Sequence, residues 1–208
     1  MPLFGRSGTE ARSEALERAL GPVGGAIAVF VLEIVQIAVL ALAIIIPVRY
    51  FLVQPFIVKG ASMEPNFHEN EYLIIDELSY RFREPMRGEV VVFHPPGNDD
   101  VFYIKRVIGL PGETVEIKDG EITISNSEFP NGIEIDEEYI EDFTSGLQVV
   151  TLGPDEFYLL GDNRDASLDS RFIGAIPRDH LTGRVWLRGL PLDKIGSFSV
   201  PDYELLSL

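Results

Sequence analysis

One serine and one lysine stand out as residues that could together cleave a peptide bond. Ser62 lies in the stretch Phe56–Phe67, which reads FIVKGASMEPNF. Gly60 permits backbone angles that other residues resist, and Pro65 disfavours helix for the residue before it, so this stretch predicts a tight, exposed turn. Peptide cleavage by serine needs a base that accepts the hydroxyl proton and donors that hold the developing oxyanion.

Lys105 is the candidate base, because it interrupts the otherwise largely apolar strand pattern Val101–Ile108. Alternation along a strand places Tyr103, Lys105 and Val107 on one face. If that face is buried, desolvation lowers the lysine pKa towards neutrality, and the neutral amine can accept a proton. The strand alone also fits an edge lysine that prevents aggregation, so both interpretations stay open at this point.

The three histidines are the alternative bases. His68 follows the serine closely in an acidic loop, His94 precedes two prolines, and His180 stands in a polar turn. None belongs to a compact catalytic motif, and no two have the i, i+3 or i, i+4 spacing of a metal site. The sequence has no cysteine, which excludes a thiol nucleophile, disulfides and cysteine metal sites. We therefore predict no metal and no cofactor.

A third polar segment, Gly161–Arg171, reads GDNRDASLDSR and predicts a long loop held by ion pairs and Asx-type turns. It follows FIVKGASMEPNF and the segment YIKRVIGLPGE at Tyr103–Glu113, and all three come after an apolar span. In this order the segments resemble those of the bacterial type I signal peptidases, which are Ser–Lys proteases. The resemblance covers roughly residues 34–192.

The resemblance implies a role for each of these polar residues. Ser62 is implied to be the nucleophile and Lys105 the general base, a variant of triad chemistry. Ser167 is implied to make a hydrogen bond that orients the lysine. Asp169 and Arg171 are implied to form an ion pair that braces the site.

The chain departs from the family pattern at several positions. The Ser62 N–H is one implied oxyanion donor, but Gly60 stands where some family members carry a second donor, a side-chain hydroxyl. The sequence does not identify the donor that replaces it. Asn66 stands where the family usually has Thr, Glu89 where Asp is commoner, and Ala166 where a polar residue is usual.

Apolar residues around the serine predict shallow substrate pockets. Such pockets admit only small side chains, which matches the A-x-A pattern at secretory cleavage sites. The substrate would bind in an extended form along a strand edge. The alternative is that some of these residues belong to the core. The predicted lining residues are Phe56, Val58, Met63, Phe67, Tyr103 and Ile104.

A long apolar stretch dominates the N-terminal part of the chain. Glu33 and Arg49 are the only charged residues between Pro22 and Val58. Since about 20 apolar residues cross a bilayer, we interpret residues 31–53 as a transmembrane helix. The stretch exceeds the ~7–15 residues of a signal-peptide core, so we expect an uncleaved anchor.

Basic residues favour one orientation of this anchor. Arg6, Arg12 and Arg18 precede the span, and fewer basic residues follow it closely. The bias predicts that residues 1–30 are cytoplasmic and that residues 54–208 form an extracytoplasmic body at the plasma membrane. The resemblance implies the same arrangement. The expected partners are therefore the lipid bilayer and secretory preproteins.

Short apolar runs separated by Gly, Pro, Asn and Asp fill the body, which is typical of β-strands. Val115–Ile117 and Ile122–Ile124 are joined through Asp119-Gly120, a sequence that predicts a β-hairpin. We predict an all-β body of antiparallel sheets with barrel- or sandwich-like packing. The other predicted strands are Tyr72–Ile75, Glu89–Phe93, Val101–Ile108, Glu156–Leu160 and Gly183–Leu187.

The body is strongly acidic. Residues 55–208 carry 29 Asp and Glu against 13 Lys and Arg, which argues against nucleic acid as a partner. Residues 113–142 hold eleven acidic side chains and one basic one, within an insertion at about 113–156. No loop of calcium-binding spacing occurs there, so we interpret the insertion as a solvated hairpin that keeps the body soluble.

These observations favour a membrane-anchored serine endopeptidase that removes signal peptides. One alternative is a Ser–Lys self-cleaving protein related to the SOS-response repressors, but this chain opens with a span and has no DNA-binding unit. A second alternative is an inactive β-domain that acts as an extracytoplasmic scaffold or binding module. That hypothesis predicts loss of Ser62 or Lys105, and both residues are present.

Overall fold

Two units make up the described chain. The computed structural model describes residues 8–51, 53–140, 143–201, 203 and 205–206. One unit ends at Tyr50 and the other begins at Phe51. The predicted cytoplasmic segment, residues 1–30, lies partly outside the described residues, because residues 1–7 are not described and side chains are described only from Arg18 onwards.

The N-terminal unit is a long helix, α1, Gly8–Phe51. Its backbone takes φ +76° at Gly21, a left-handed angle that glycine adopts without strain and that kinks the helix. The stretch Arg18–Ile46 is long and apolar enough to cross a membrane. Its large apolar side chains, such as Ile37 at 68% exposure, are free of protein contacts that would bury them. Continuous apolar exposure of this kind is unfavourable in water and suits lipid.

The second unit is built of β-strands, which confirms the predicted all-β body. In chain order the described strands are β1 Val53–Ile57, β2 Tyr72–Asp76, β3 Val90–Phe93, β4 Tyr103–Gly109, β5 Thr114–Lys118, β6 Glu121–Ser125, β7 Ile133–Ile135, β8 Gln148–Thr151, β9 Glu156–Leu160, β10 Ile176–Pro177, β11 Leu181–Leu190, β12 Gly196–Ser197 and β13 Leu205–Leu206. One short helix, α2 Ser170–Ile173, follows β9.

The strands form two antiparallel sheets within the described residues. The larger sheet has the order β1-β2-β11-β3-β4-β9-β10, and β12 pairs with β11. The smaller sheet has the order β13-β7-β6-β5-β8 and contains most of the acidic insertion. β4 and β5 follow each other in the chain but belong to different sheets, so the lysine strand leads directly into the insertion.

Lys105 lies on a central strand. β4 pairs with β3 on one side, where Val91 is opposite Lys105, and with β9 on the other side, where Leu160 is opposite Arg106. The interpretation of Lys105 as an edge-strand lysine is therefore wrong. A lysine between two paired strands must be accommodated by its surroundings, because it has no route to solvent along a free edge.

The predicted hairpin in the acidic insertion is confirmed. β5 and β6 pair with Ile117 opposite Ile122 and Lys118 opposite Glu121. Asp119 and Gly120 form the turn with φ of +54° and +95°. Positive φ at both central residues is what a two-residue hairpin turn requires, and Asp-Gly supplies it with little strain.

Two core clusters hold the elements that carry the candidate site. Met63, Phe67 and Leu73 pack together with Val92 beneath the serine segment. On the other face of the larger sheet, Val91, Val107 and Leu159 belong to a second cluster. A third cluster, centred on isoleucines of β5, β6 and β7, joins the smaller sheet to β4 and β9. Burial of this apolar surface is the main driving force that fixes the sheets.

Candidate active site

Ser62 lies on a tight turn that two buried side chains anchor. The Glu64 N–H donates to the Ala61 carbonyl at 3.1 Å, and the Phe67 N–H donates to the Met63 carbonyl at 2.8 Å. Met63 and Phe67 are fully buried in the core, whereas Ser62 is partly exposed. The turn is therefore fixed by packing on one side and presents the hydroxyl on the other.

The Lys105 ammonium lies directly against the Ser62 hydroxyl. Its Nζ donates to Ser62 Oγ at 2.7 Å and to the Ile104 carbonyl at 2.7 Å. Lys105 is only 4% exposed, and its Nζ lies 5.7 Å from the centroid of the Tyr103 ring. The structure thus joins two residues that are 43 positions apart in the sequence.

Burial lowers the pKa of Lys105 from its ordinary value of 10.5 to about 8, because the charged ammonium is removed from water. The carboxylates of Asp169 and Asp162 act in the opposite direction and do not offset this burial. At pH 7 about a tenth of the lysine is therefore uncharged. An uncharged amine at this distance can accept the proton of the Ser62 hydroxyl.

The third motif segment, Gly161–Arg171, holds the serine turn in place and is called the clamp below. The Asn163 N–H donates to the Ser62 carbonyl at 3.1 Å. Gly161 allows this close approach, because a Cβ at that position would lie 2.5 Å from the Ser62 carbonyl oxygen and 2.5 Å from Ser167 Cβ. Glycine is required at this position because a larger residue would not fit. Its φ is not in the left-handed region, so the backbone angle itself does not demand glycine.

Asp169 and Arg171 form the ion pair that the resemblance implies. Arg171 Nε lies 2.9 Å from Asp169 Oδ1, and its second nitrogen donates to Oδ2 at 2.9 Å and to the Arg164 carbonyl at 2.6 Å. Asp169 is fully buried, and burial raises its pKa. Hydrogen bonds from Arg171 and the Gly161 N–H outweigh burial and hold the pKa below its usual value. The carboxylate stays charged and fixes the loop.

The expected hydrogen bond between Ser167 and Lys105 is absent from this structure. Ser167 is 7% exposed, and its hydroxyl lies near the Asp169 carboxylate, whose pKa it helps to lower, rather than against Lys105. The Lys105 ammonium instead donates to Ser62 and Ile104. The hydroxyl packs against Gly161, and the role of Ser167 in orienting the lysine stays a prediction.

A cleft of about 310 Å³ opens beside Ser62 and Lys105. Four of the predicted substrate-contacting residues line it: Phe56, Val58, Tyr103 and Ile104. Gly60 also lines the cleft, with φ +79° and no heavy atom within 4 Å of the position of a Cβ. At Gly60 glycine is therefore favoured by the backbone angle rather than by lack of space.

Two predicted substrate contacts are wrong. Met63 and Phe67 are fully buried beneath the turn and do not line the cleft. Their side chains point into the core because the turn needs apolar anchors there. Sequence reasoning also missed cleft residues, of which Val92 could have been found only from its pairing opposite Ile104. The other missed lining residues are Ile57, Lys59, Ala61, Leu73, Phe102, Ala166 and Leu168.

The three histidines do not line this cleft, although His94 packs against Phe102, which does. A ring nitrogen of His68 lies 3.7 Å from the Glu64 carboxylate. The ring centroids of His94 and Phe102 are 4.1 Å apart, and a ring nitrogen of His180 is 2.9 Å from the carbonyl oxygen of His94. None of the three lines the cleft of Ser62. Within the described ranges, no group of three or more His, Asp and Glu is arranged to hold a metal ion.

Comparison with known sequences assigns a family. A profile described as "Signal peptidase, peptidase S26" matches residues 31–189. The chain belongs to the signal peptidase family. As a signal peptidase, it is a serine protease that cleaves signal peptides, and its substrates are preproteins that carry them. Family membership favours this activity over the self-cleaving repressor and over the inactive scaffold.

Individual signal peptidases are similar over most of the chain. Signal peptidase I of Leptolyngbya laminosa is 36% identical over 78% of this chain and 81% of that protein. The probable signal peptidase I-2 of Synechocystis sp. is 38% identical over 79% of this chain and 76% of that protein. Signal peptidase IB of Staphylococcus aureus is 34% identical over 77% and 90%, respectively. A crystal structure of a signal peptidase I from Enterococcus faecalis aligns with a TM-score of 0.43 and 28% identity, over 50% of this chain and 97% of that chain.

Proposed function

We propose that this signal peptidase uses Ser62 as its nucleophile and Lys105 as its general base. The observation that carries the proposal is the 2.7 Å contact between Lys105 Nζ and Ser62 Oγ. Burial of the lysine supports the same assignment, because it lowers the pKa of the amine to about 8. A buried, uncharged amine in contact with a hydroxyl is the arrangement that activates a serine without histidine.

The proposed reaction proceeds in two stages. Neutral Lys105 takes the Ser62 hydroxyl proton as Oγ attacks the scissile carbonyl carbon, and the proton is then donated to the amine of the departing mature protein. Water hydrolyses the resulting ester, with Lys105 again acting as base. The Ser62 N–H holds the oxyanion, and the Ile104 carbonyl keeps the ammonium in place when it forms.

The cleft supports specificity for small residues at the cleavage site. Phe56, Val58 and Ile104 line the cleft of about 310 Å³ beside Ser62 with apolar side chains, which favour apolar over charged substrate residues. We propose that the two alanines of an A-x-A sequence occupy it. The Asp169–Arg171 pair acts as a brace for this arrangement, and Ser167 contributes packing beside Gly161.

We also propose the arrangement of the chain in the cell. Helix α1 anchors the protein in the plasma membrane through its apolar stretch, the residues before that stretch lie in the cytoplasm, and the body of β-strands, which begins with β1 at Val53, forms the extracytoplasmic catalytic domain. The apolar helix supports the anchor, since Arg18–Ile46 is long and apolar enough to span a bilayer. The three arginines before the span support the orientation.

A cleavage assay tests the proposal. Detergent-solubilised protein should cut a precursor after the last residue of an A-x-A site, as mapped by mass spectrometry of the new N-terminus. Ser62→Ala should lose activity on the order of 10⁶-fold, because the nucleophile is removed. Ser145→Ala, at an exposed position, is the matched control and should retain activity.

The same assay separates the alternatives. A precursor with Leu in place of the last Ala should not be cut if the cleft admits only small side chains. Full activity of Ser62→Ala would exclude this serine as the nucleophile. If the parent protein cuts no precursor under any condition, the inactive scaffold becomes the better description.

The pH dependence should follow the ionisation of Lys105. Below about pH 8 the lysine is protonated and cannot act as a base, so kcat/KM should fall about tenfold for each pH unit. Above about pH 8 the lysine is neutral and the rate should level off. Initial rates between pH 6 and pH 10 measure this profile. An acid limb centred near 6.5 would instead indicate a histidine base.

A further inference from the structure

Asn66 connects three parts of the chain at the nucleophile turn. Its Nδ2 donates one hydrogen bond to the Tyr139 carbonyl and one to Asp162 Oδ2, each at 2.9 Å. Its own carbonyl accepts a hydrogen bond from Arg188 of β11. Asn66 follows Ser62 by four residues on the same turn, so these contacts fix the turn from outside the core.

One of these contacts leads to the strand of the base. Asp162 is 1% exposed and accepts hydrogen bonds from Arg106 Nε at 2.8 Å and from its NH2 group at 2.6 Å. Arg106 directly follows Lys105 in β4. Contacts therefore run from the Ser62 turn through Asn66, Asp162 and Arg106 to the strand of Lys105. The 2.7 Å contact between Ser62 and Lys105 closes this loop of contacts.

The other contact leads to the acidic insertion. The Arg106 guanidinium lies 4.1 Å from the centroid of the Tyr139 ring, so Tyr139 touches both Asn66 and Arg106. Two residues earlier, Glu137 pairs with Arg164 at 2.6 Å, and Arg164 Nε donates to the Gly161 carbonyl at 3.0 Å. Residues 137–139 thus contact the nucleophile turn, the lysine strand and the third motif segment.

From these contacts we infer that Asn66 is a positioning residue, through which residues 137–139 of the acidic insertion hold the Ser62 turn against the Lys105 strand. The inference rests on the proposed roles of Ser62 and Lys105. An amide NH2 has two hydrogens, which matches two acceptors, a carbonyl and a carboxylate. A threonine at this position would have one hydroxyl hydrogen and could satisfy only one of them. The insertion then has a role in catalysis besides solubility.

Removal of the amide should reduce turnover. We expect Asn66→Ala to lower kcat by about 10- to 100-fold with little change in KM, because a displacement of the nucleophile affects chemistry more than binding. Asn66→Thr, with one donor, should fall between the parent and Asn66→Ala. Asn98→Ala, an exposed asparagine in the loop before β4, is the matched control and should keep the parental kcat.

The pH profile separates positioning from loss of fold. If the site loosens, Lys105 becomes better hydrated, and the acid limb of kcat/KM should move from about pH 8 towards higher pH. A variant that is merely partly unfolded would show a lower rate with an unchanged limb. That result, or a parental kcat in Asn66→Ala, would overturn the inference.

A double-mutant cycle tests the link to the insertion. Tyr139→Leu removes the ring that packs against Arg106, and Asn66→Ala removes the amide bound to the Tyr139 carbonyl. If both act through the same contact chain, the double variant should lose less than the product of the two single losses. Strict multiplication of the losses would overturn the link. These outcomes are distinct from failure of the proposed function, in which the parent itself would not cleave or Ser62→Ala would remain active.

Discussion

Lys105→Met is expected to lose signal-peptide cleavage by about 10²- to 10⁴-fold, the contribution of a positioned general base. Methionine has a similar length and shape but cannot accept the proton from Ser62 Oγ, which lies 2.7 Å from the lysine Nζ. The measurement is kcat/KM on a precursor with an A-x-A site. Lys118→Met, at the exposed end of β5, is the matched control and should remain active.

The same substitution should make the protein more stable. The pKa of about 8 in the folded protein, against 10.5 in the unfolded chain, corresponds to a cost of the order of 3 kcal/mol in folding free energy at pH 7. This cost is present in full below about pH 8, declines as the pH rises, and is nearly lost by 10.5. Lys105→Met removes it, so thermal unfolding at pH 7 should occur at a higher temperature, with a smaller gain at pH 10.

The combination of lost activity and gained stability distinguishes a catalytic base from a structural residue. A structural lysine would give a variant that is both inactive and less stable. If Lys105→Met cleaves at the parental rate, the base is not Lys105, and His68, His94 and His180 must be tested in its place.

Gly161→Ala is expected to lower kcat by about 100-fold, the loss that a displacement of about 1 Å can cause at a catalytic group. The added methyl group would lie 2.5 Å from the Ser62 carbonyl oxygen and 2.5 Å from Ser167 Cβ. Either the serine turn or the third motif segment must move. The movement would lengthen the hydrogen bond from the Asn163 N–H to the Ser62 carbonyl.

Gly196→Ala is the matched control for this experiment. No heavy atom lies within 4 Å of the position of its Cβ, and its φ is outside the left-handed region. This variant should keep the parental kcat, and circular dichroism should show that both variants are folded. Parental activity in Gly161→Ala would mean that the close approach to Ser62 is not required for catalysis.

Local patterns account for the parts of the fold that sequence predicts well. The alternating apolar runs predicted the main strands of both sheets, and Asp119-Gly120 predicted the turn of the β5–β6 hairpin. β1, Val53–Ile57, escaped detection because it directly follows the apolar span, and the shorter strands escaped because pairing rather than composition defines them. β7 has three residues, and β10 has two, one of which is Pro177.

The motifs predict the site residues, but they do not predict the contacts that form only when the chain is folded. The motifs predict Ser62, Lys105 and the Asp169–Arg171 pair as site residues. Met63 and Phe67 were misassigned, because an apolar residue near a serine has the same sequence pattern whether it lines a cleft or anchors a turn. The contact of Asn66 with Tyr139, 73 residues away, leaves no local pattern, so only the folded structure reveals it.

The clamp that Gly161–Arg171 places on the serine turn also has a consequence for biogenesis. The clamp begins about a hundred residues after Ser62, so a chain that is synthesised from its N-terminus exposes Ser62 and Lys105 before the clamp is made. The Asn163 N–H that holds the Ser62 carbonyl is among those late residues. We therefore expect the Ser62 turn to lack this hydrogen bond, and the protein to be inactive, until Gly161–Arg171 has been synthesised.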